Sequence, residues 1–309
     1  IHVLARGRSF RAGTLGPVIQ DGSRSFTVFA RTAEPEHRLG IERLSGRWSG
    51  RLDGAACSRV SDFARRLPLV LIDPENHQLL EGGPPLRRNF IDWGVFHVEH
   101  SYLEIWRRYA RLLRQRNAAL RDAASPAVLE SLERPMADAA ETLEQTRKRW
   151  VRSLAESLEV LEPALSFRLD SLRLEYRSSC ASATEYRETW AANRERDLEQ
   201  GYTREGPHRA EMVVRSGERP AATRLSRGQM KLAALLLKLA QMKQADSAGQ
   251  VPMLLLDDPV SELDGDHLNR LLGWLERQPG QVWITAVLPP AGVNGRLFHV
   301  EQGKITSMV

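Results

Sequence analysis

A short apolar run, Met253-Leu254-Leu255-Leu256, closes on two neighbouring carboxylates, Asp257 and Asp258, and is then broken by Pro259. The run reads as a buried strand. Adjacent carboxylates repel one another, so apolar packing alone gives no reason for the pair. Upstream, Leu225-Ser226-Arg227-Gly228-Gln229 opens a helix expected from Gln229 to about Met242; downstream, Ser261-Glu262-Leu263-Asp264 follows the second acid by only two residues. A Ser and a Gly at a helix start leave free N–H groups and a positive dipole end, which suit a phosphate. One strand-end acid can hold a hydrated Mg²⁺ on a nucleotide while its neighbour orients or deprotonates the attacking water. Singly, each piece has a plainer reading as a helix cap or a solvated charge. Their fixed order, with one helix and the polar turn Ala245 to Gln250 between them, favours a nucleotide-binding machine.

In that order the three segments resemble the signature motif, Walker B strand and D-loop of the ATP-binding-cassette superfamily, in the form found in the RecF family, relatives of the SMC proteins. The resemblance continues through Gly7-Arg8-Ser9-Phe10-Arg11, Gly82-Gly83-Pro84 with Arg87-Arg88, Phe90-Ile91-Asp92-Trp93-Gly94, Arg114-Gln115-Arg116-Asn117-Ala118-Ala119-Leu120 and Gly206-Pro207-His208-Arg209-Ala210, so it covers essentially all 309 residues. It implies an α/β fold: an ABC/SMC-type ATPase head (lobe I) with an inserted, mostly helical arm (lobe II).

The resemblance also implies roles. Asp257 would be the Mg²⁺-associated acid, and Asp258 would stand where most cassette ATPases carry a catalytic Glu, with slow hydrolysis as the consequence of its shorter reach. Ser226, Arg227, Gly228 and Gln229 would complete a second nucleotide pocket in trans, and Asp264 would belong to the loop crossing that interface. Thr285 is the only polar candidate to feel the γ-phosphate where transport cassettes place a switch His. The implied cofactors are ATP and Mg²⁺. The implied partners are duplex DNA near single-strand gaps, RecR and RecO with a functional link to RecA, and a second copy in an ATP-dependent homodimer. The alternative, from a different class, is a non-hydrolysing structural clamp or scaffold that uses the cassette fold for protein contacts.

One part of the family pattern does not occur. No G-x-x-x-x-G-K-S/T is found, and Lys appears only at 148, 231, 238, 243 and 304, never in a Gly-rich turn after a strand. In the family this phosphate-binding loop lies just upstream of the Gly-Arg-Ser-Phe-Arg element. The expectation is an N-terminal truncation that removes the first strand, the loop and most of its helix, leaving a polypeptide that binds ATP poorly or not at all.

The formal net charge is +5 and nearly all of the positive charge is Arg, which suits bidentate phosphate contact. A GC-rich genome would produce the same excess without any functional cause. The two cysteines, Cys57 and Cys180, lie far apart and no Cys/His cluster has zinc spacing, so a reducing cytoplasm is the expected compartment. No apolar run approaches a membrane span.

Along the chain, residues 25 to 52 read as a β-meander, Val60 to Arg66 as a short helix and Leu69-Val70-Leu71-Ile72 as a buried strand. Long helices are expected over Arg87 to Phe96, Tyr102 to Arg121, Pro126 to about Leu161 and Ala181 to Leu198, punctuated by Pro126, Pro135 and Pro163. Alternation over Phe167-Arg168-Leu169-Asp170 and Leu172 to Tyr176 predicts a bulged strand or a strand pair. A strand at Ala210 to Val214, a helix from about Asp266 to Arg277, a strand at Gln281 to Val287 and a closing hairpin around Gly303 complete the pattern. The expected division is an ATPase lobe in two parts, 1–97 and 205–309, interrupted by the helical arm 98–204. The ladder Arg107, Arg108, Arg111, Arg114, Arg116 reads as a solvated helix face or a DNA-backbone contact, and His208 and Arg209 as either structural or functional.

Overall fold

The computed structural model describes residues 1–12, 15–33, 35–44, 47–167, 169, 171–290 and 292–308. Arg168 and Asp170, part of one expected strand, lie outside the described residues. The chain forms two compact units, Ile1–Pro74 with Gly249–Val309, and Glu75–Ala248.

In the first unit the strand Met253–Asp257 is the middle member of a three-stranded parallel sheet, between Leu69–Ile72 and Val282–Thr285. Central strands of parallel sheets are covered on both faces, which is why this segment is apolar until its last residue; Leu254 and Leu256 are each 1% exposed. The meander is a four-stranded antiparallel sheet, Ser25–Thr32, His37–Leu44, Arg47–Leu52 and Ala55–Cys57. Leu39 and Ile41 point into a core with Leu4, Phe63, Leu67 and Leu69, while the flanking Arg38 and Glu42 are exposed, the period-two alternation of a half-buried sheet. Asp53 and Gly54 both have positive φ, 52° and 85°, as the two-residue turn of a tightly twisted hairpin requires. Gln302 and Gly303 do the same between Leu297–Glu301 and Lys304–Met308.

The short helix His2–Arg6 ends on Gly7, whose φ of 65° places it in the left-handed region and whose N–H donates to the Val3 carbonyl. A β-carbon there would lie 2.6 Å from Val60 Cγ2. Both constraints admit only Gly.

The second unit is helical: Pro84–Val98, Tyr102–Arg121, Pro126–Leu165, Ala183–Ala192, Arg194–Gln200 and Arg227–Ser247, with an antiparallel sheet of Leu172–Arg177, Glu211–Ser216 and Arg219–Pro220. The 40-residue helix passes through Pro135 and reaches beyond Pro163. Its inward stripe of Met136, Ala140, Leu143, Arg147, Trp150, Leu154, Leu158 and Leu161 outweighs the donor missing at Pro135, whose orphaned acceptor belongs to exposed Ser131. The helix expected over Ala181 to Leu198 is two helices joined at Asn193.

The division into units differs from the one read off the sequence. Residues 75–97 and 205–248 lie with the helices rather than with the parallel sheet. Two long-range pairings cause this: Glu211–Ser216 runs antiparallel to Leu172–Arg177, and Gln241 on the helix Arg227–Ser247 donates to the carbonyl of Phe90, 2.9 Å away.

Buried charge organises this unit. Arg116 is 0% exposed and donates to Glu133, Asp197 and Thr203. The Arg ladder is therefore interrupted: Arg108, Arg111 and Arg114 are exposed, whereas Arg116 faces inward. Arg147, also buried, holds Asp92, the Tyr102 hydroxyl and the Pro207 carbonyl.

Gly94 lets the helices Pro84–Val98 and Pro126–Leu165 touch, for a β-carbon there would fall 2.0 Å from Trp150 Cζ2. Gly94→Ala is expected to destabilise the protein by about 1–3 kcal/mol through overpacking, despite the better helix propensity of Ala. Denaturant unfolding followed by Trp fluorescence checks this; an unchanged midpoint would show that the helices separate freely.

Candidate functional site

Ligands of parallel α/β sheets bind beyond the carboxyl ends of the strands. Asp257 is the last residue of its strand and pairs in register with Thr285, the last residue of the neighbouring strand. Thr285 Oγ1 donates to Asp257 Oδ1 at 2.7 Å. From the Gly7-to-Arg11 segment a single guanidinium nitrogen of Arg11, Nη2, bridges both Asp257 oxygens at 2.9 and 2.8 Å. The Ser9 hydroxyl accepts the N–H groups of Arg11 and Ala12 and so shapes that loop. Asp257 is largely buried and Arg11 is not, with side chains 10% and 72% exposed. Sequence reasoning had Arg11 only as part of a motif; nothing in the local pattern pairs it with an acid 246 residues away.

Asp258 leaves the strand in an unusual conformation. Its φ and ψ are both 52°, the left-handed region that costs an ordinary L-residue about 1–2 kcal/mol. Pro259 disfavours the right-handed alternative for the residue before it. The Asp258 N–H donates to the Thr285 carbonyl at 2.9 Å and lies 3.2 Å from Thr285 Oγ1, and the Asp258 carbonyl accepts from both the N–H and the hydroxyl of Ser261. The short helix Pro259–Glu262 follows directly.

Asp264 is the N-cap of the helix Gly265–Leu275, accepting from the His267 N–H at 3.0 Å and approaching His267 Nδ1 at 2.6 Å. These bonds from His267 hold the Asp264 carboxyl below its ordinary range. The buried stripe Leu268, Leu271, Leu272 and Leu275 anchors the helix behind it.

In the second unit Ser226 caps the 21-residue helix Arg227–Ser247. Its hydroxyl accepts the Gln229 N–H at 3.3 Å and the Gln229 side chain accepts the Ser226 N–H at 2.9 Å, a closed capping box. The N–H groups of Arg227 and Gly228 take part in neither bond. Ser226, Arg227 and Gly228 are exposed, and nothing lies within 4 Å of where a Gly228 β-carbon would be. Bare backbone at a positive helix end is what an anion needs.

His208 accepts from the Tyr109 hydroxyl at Nδ1, 2.7 Å away, and meets the Thr203 carbonyl through Nε2 at 3.0 Å. With Nε2 donating and Nδ1 accepting, the ring is neutral, and burial lowers its pKa to about 4. Gly206 before it has φ of 150°, and a β-carbon there would meet the Tyr109 oxygen at 2.5 Å. The Gly-Pro-His turn is thus bound into the helical core, with Arg209 over the Tyr202 ring. Arg87 is likewise engaged, with Glu211 and the carbonyls of Leu79, Leu80 and Gly82. Arg88 donates to the Ala210 carbonyl.

The donors at the strand end fit Mg²⁺. Both are oxygens, as a hard cation prefers, and among the described residues no group of three or more His, Cys, Asp or Glu side chains gathers as a protein-only metal cage. Mg²⁺ is typically held by one or two carboxylates together with substrate phosphates and water. No helix among the described residues is long and apolar enough to cross a membrane.

A scan against protein-family models finds no match. Curated relatives are close: the chain is 39% identical to the DNA replication and repair protein RecF of Xanthomonas euvesicatoria over 99% of its own length and 87% of the relative's. The identity is 39% to RecF of Azotobacter vinelandii, again over 99% and 87%, and 35% to that of Stenotrophomonas maltophilia over 100% and 88%. Among solved structures the fold matches the recombination mediator protein RecF–ATP in the RecFOR pathway, with a TM-score of 0.88 at 21% identity over 100% of this chain and 86% of that one. An SMC head bound to the C-terminal winged-helix domain of ScpA follows at 0.53 and 13% identity, covering 99% and 83%. The α/β fold is shared with RecF and with an SMC head, and at 35–39% identity over nearly its whole length the chain belongs to the RecF family of DNA replication and repair proteins.

Proposed function

We propose that the chain forms the Walker B and signature side of the head of a slow, DNA-engaging ATPase of this family. The reading is carried by the end of the strand Met253–Asp257, where a largely buried carboxylate is oriented by the Thr285 hydroxyl and followed at once by a second acid held in a fixed turn. Asp257 is the residue that would hold Mg²⁺; the ion, when bound, supplies charge neutralisation for the nucleotide phosphates. Asp258 accepts or orients the proton of the attacking water and, being shorter than Glu, reaches it less well. In a head-to-tail dimer the open N–H groups of Arg227 and Gly228, with Ser226, receive the γ-phosphate of a nucleotide held by the other copy, and Asp264 lies on the loop crossing that interface. The match to RecF–ATP in the RecFOR pathway supports ATP as ligand and RecO and RecR as partners; RecA placed at a single-strand gap in the cytoplasm is the outcome that the family resemblance implies. The exposed Arg108, Arg111 and Arg114 offer guanidinium groups to the DNA backbone.

One observation favours a second reading. Arg11 already supplies Asp257 with a cation, as it would in a non-hydrolysing scaffold that keeps the cassette fold for protein contacts. The two readings differ in what happens when that cation is removed. Arg11→Ala is expected to tighten Mn²⁺ binding in the absence of nucleotide, read by electron paramagnetic resonance, because Arg11 and the metal compete for the same oxygens. Unaltered Mn²⁺ affinity would count for the scaffold.

The roles of the acids and the signature separate in a second experiment. Asp258→Asn is expected to preserve ATP binding and accumulate dimers on DNA, while Ser226→Arg abolishes dimers yet leaves each copy binding ATP. Light scattering with and without ATP distinguishes them, and wild-type behaviour in both would remove the assignment.

DNA contact is tested by salt. Replacing Arg108, Arg111 and Arg114 by Ala is expected to weaken binding to gapped duplex without regard to base sequence. The slope of log K against log salt should shrink by roughly 0.9 for each phosphate that is no longer neutralised. A constant slope would leave these side chains as solvated surface.

A further inference from the structure

The family resemblance puts Thr285 forward as a sensor of the terminal phosphate, and its hydrogen bonds give it a different task. A hydroxyl has one proton to donate. An ionised carboxylate can only accept, so the 2.7 Å contact with Asp257 Oδ1 uses that proton. The oxygen's acceptor side faces the Asp258 N–H at 3.2 Å, which the Thr285 carbonyl also accepts at 2.9 Å. A phosphate oxygen is itself an acceptor and could bond this hydroxyl only by taking its proton from Asp257. The parallel register explains the arrangement: Asp257 and Thr285 are the last in-register pair of two adjacent strands, so their side chains share one face of the sheet at neighbouring-strand spacing.

Asp258 depends on the same residue. In a continuing strand successive side chains point to opposite faces, and the left-handed turn at Asp258 breaks that alternation. Backbone held in such a region persists only where its surroundings over-determine it. Here one residue supplies both acceptors for the Asp258 N–H.

We propose that Thr285 is a positioning residue for both acids: its hydroxyl orients the Asp257 carboxylate for the metal, and the same hydroxyl with its own carbonyl locks the turn that sets Asp258, leaving no hydrogen-bonding capacity for phosphate sensing. The proposal rests on the nucleotide-site reading above and adds to it a residue that works without touching the nucleotide.

The test compares Thr285→Val, which keeps the shape and loses the hydroxyl, with Thr285→Ser, which keeps the hydroxyl. Amide hydrogen exchange at Asp258, measured by NMR without nucleotide, is expected to quicken roughly three- to tenfold in the Val variant. Mn²⁺ affinity in the presence of a non-hydrolysable ATP analogue is expected to fall by about 10- to 100-fold, the usual loss when a supporting partner of a metal ligand is removed. The kcat should fall with it, while metal-free binding of a fluorescent ATP analogue in EDTA stays unchanged. Ser should restore all three. Loss of metal-free nucleotide affinity in the Val variant, with Mn²⁺ binding and Asp258 exchange as in wild type, would make Thr285 a phosphate contact and overturn the proposal. Wild-type protein that binds neither nucleotide nor Mn²⁺ would instead overturn the nucleotide-site reading, and the Asp258 exchange rate would still decide whether Thr285 holds the turn.

Discussion

A strand with a paired neighbour on each edge has its backbone groups committed to its sheet, and Met253–Asp257 is such a strand. Its side chains are free to be apolar throughout because no face needs water, and polar groups enter only where the ladder stops. Asp257 therefore falls at the carboxyl edge, Thr285 falls beside it through the parallel register, and Ile72 ends the other flanking strand opposite Leu256. Polar side chains concentrate at this edge because the interior of the sheet excludes them.

The helical unit is held by a different kind of interaction. Arg116 and Arg147 are buried with acids, hydroxyls and carbonyls drawn from widely separated segments. Removing either cation would strand buried acceptors, which costs far more than a surface ion pair gives. The Glu144 carboxylate, pushed above its ordinary range by burial, accepts hydrogen bonds from the Tyr176 and Tyr186 hydroxyls. These networks tie the Gly-Pro-His turn, the strand Leu172–Arg177 and five helices into one body, and they account for His208 as a structural residue rather than a proton carrier.

Much of this was legible in the sequence and some was not, for physical reasons. Val60–Arg66, Leu69–Ile72, the meander and the closing hairpin are local in origin, set by periodicity and turn residues, and they stand where the pattern put them. The long helix reaches past Pro163 because a buried apolar stripe overrides a local breaker. Arg116 looked like one rung of a solvated ladder, since periodicity reports a face but not the acids 17 and 81 residues away that the face meets. The partners of Asp257 were equally hidden: Thr285 was visible as a lone polar residue, but its bond to the acid depends on strand order, and Arg11 depends on a loop. In each case the residue type was readable and its spatial partner was not.

The left-handed backbone at Asp258 bears on which amino acids this position can hold. Asp and Asn are tolerated in that region because their short side chains bond to the local backbone, whereas longer side chains are seen there far less often. A Glu would bring a carboxylate one methylene closer to water, but it would have to be held against a steeper backbone penalty. Reach and turn are thus coupled at a single α-carbon. Under the proposed role of Asp258, the short acid would trade catalytic speed for a sharply defined exit from the sheet, and regaining reach would require remaking the turn, with Pro259 and Ser261 changing along with the acid.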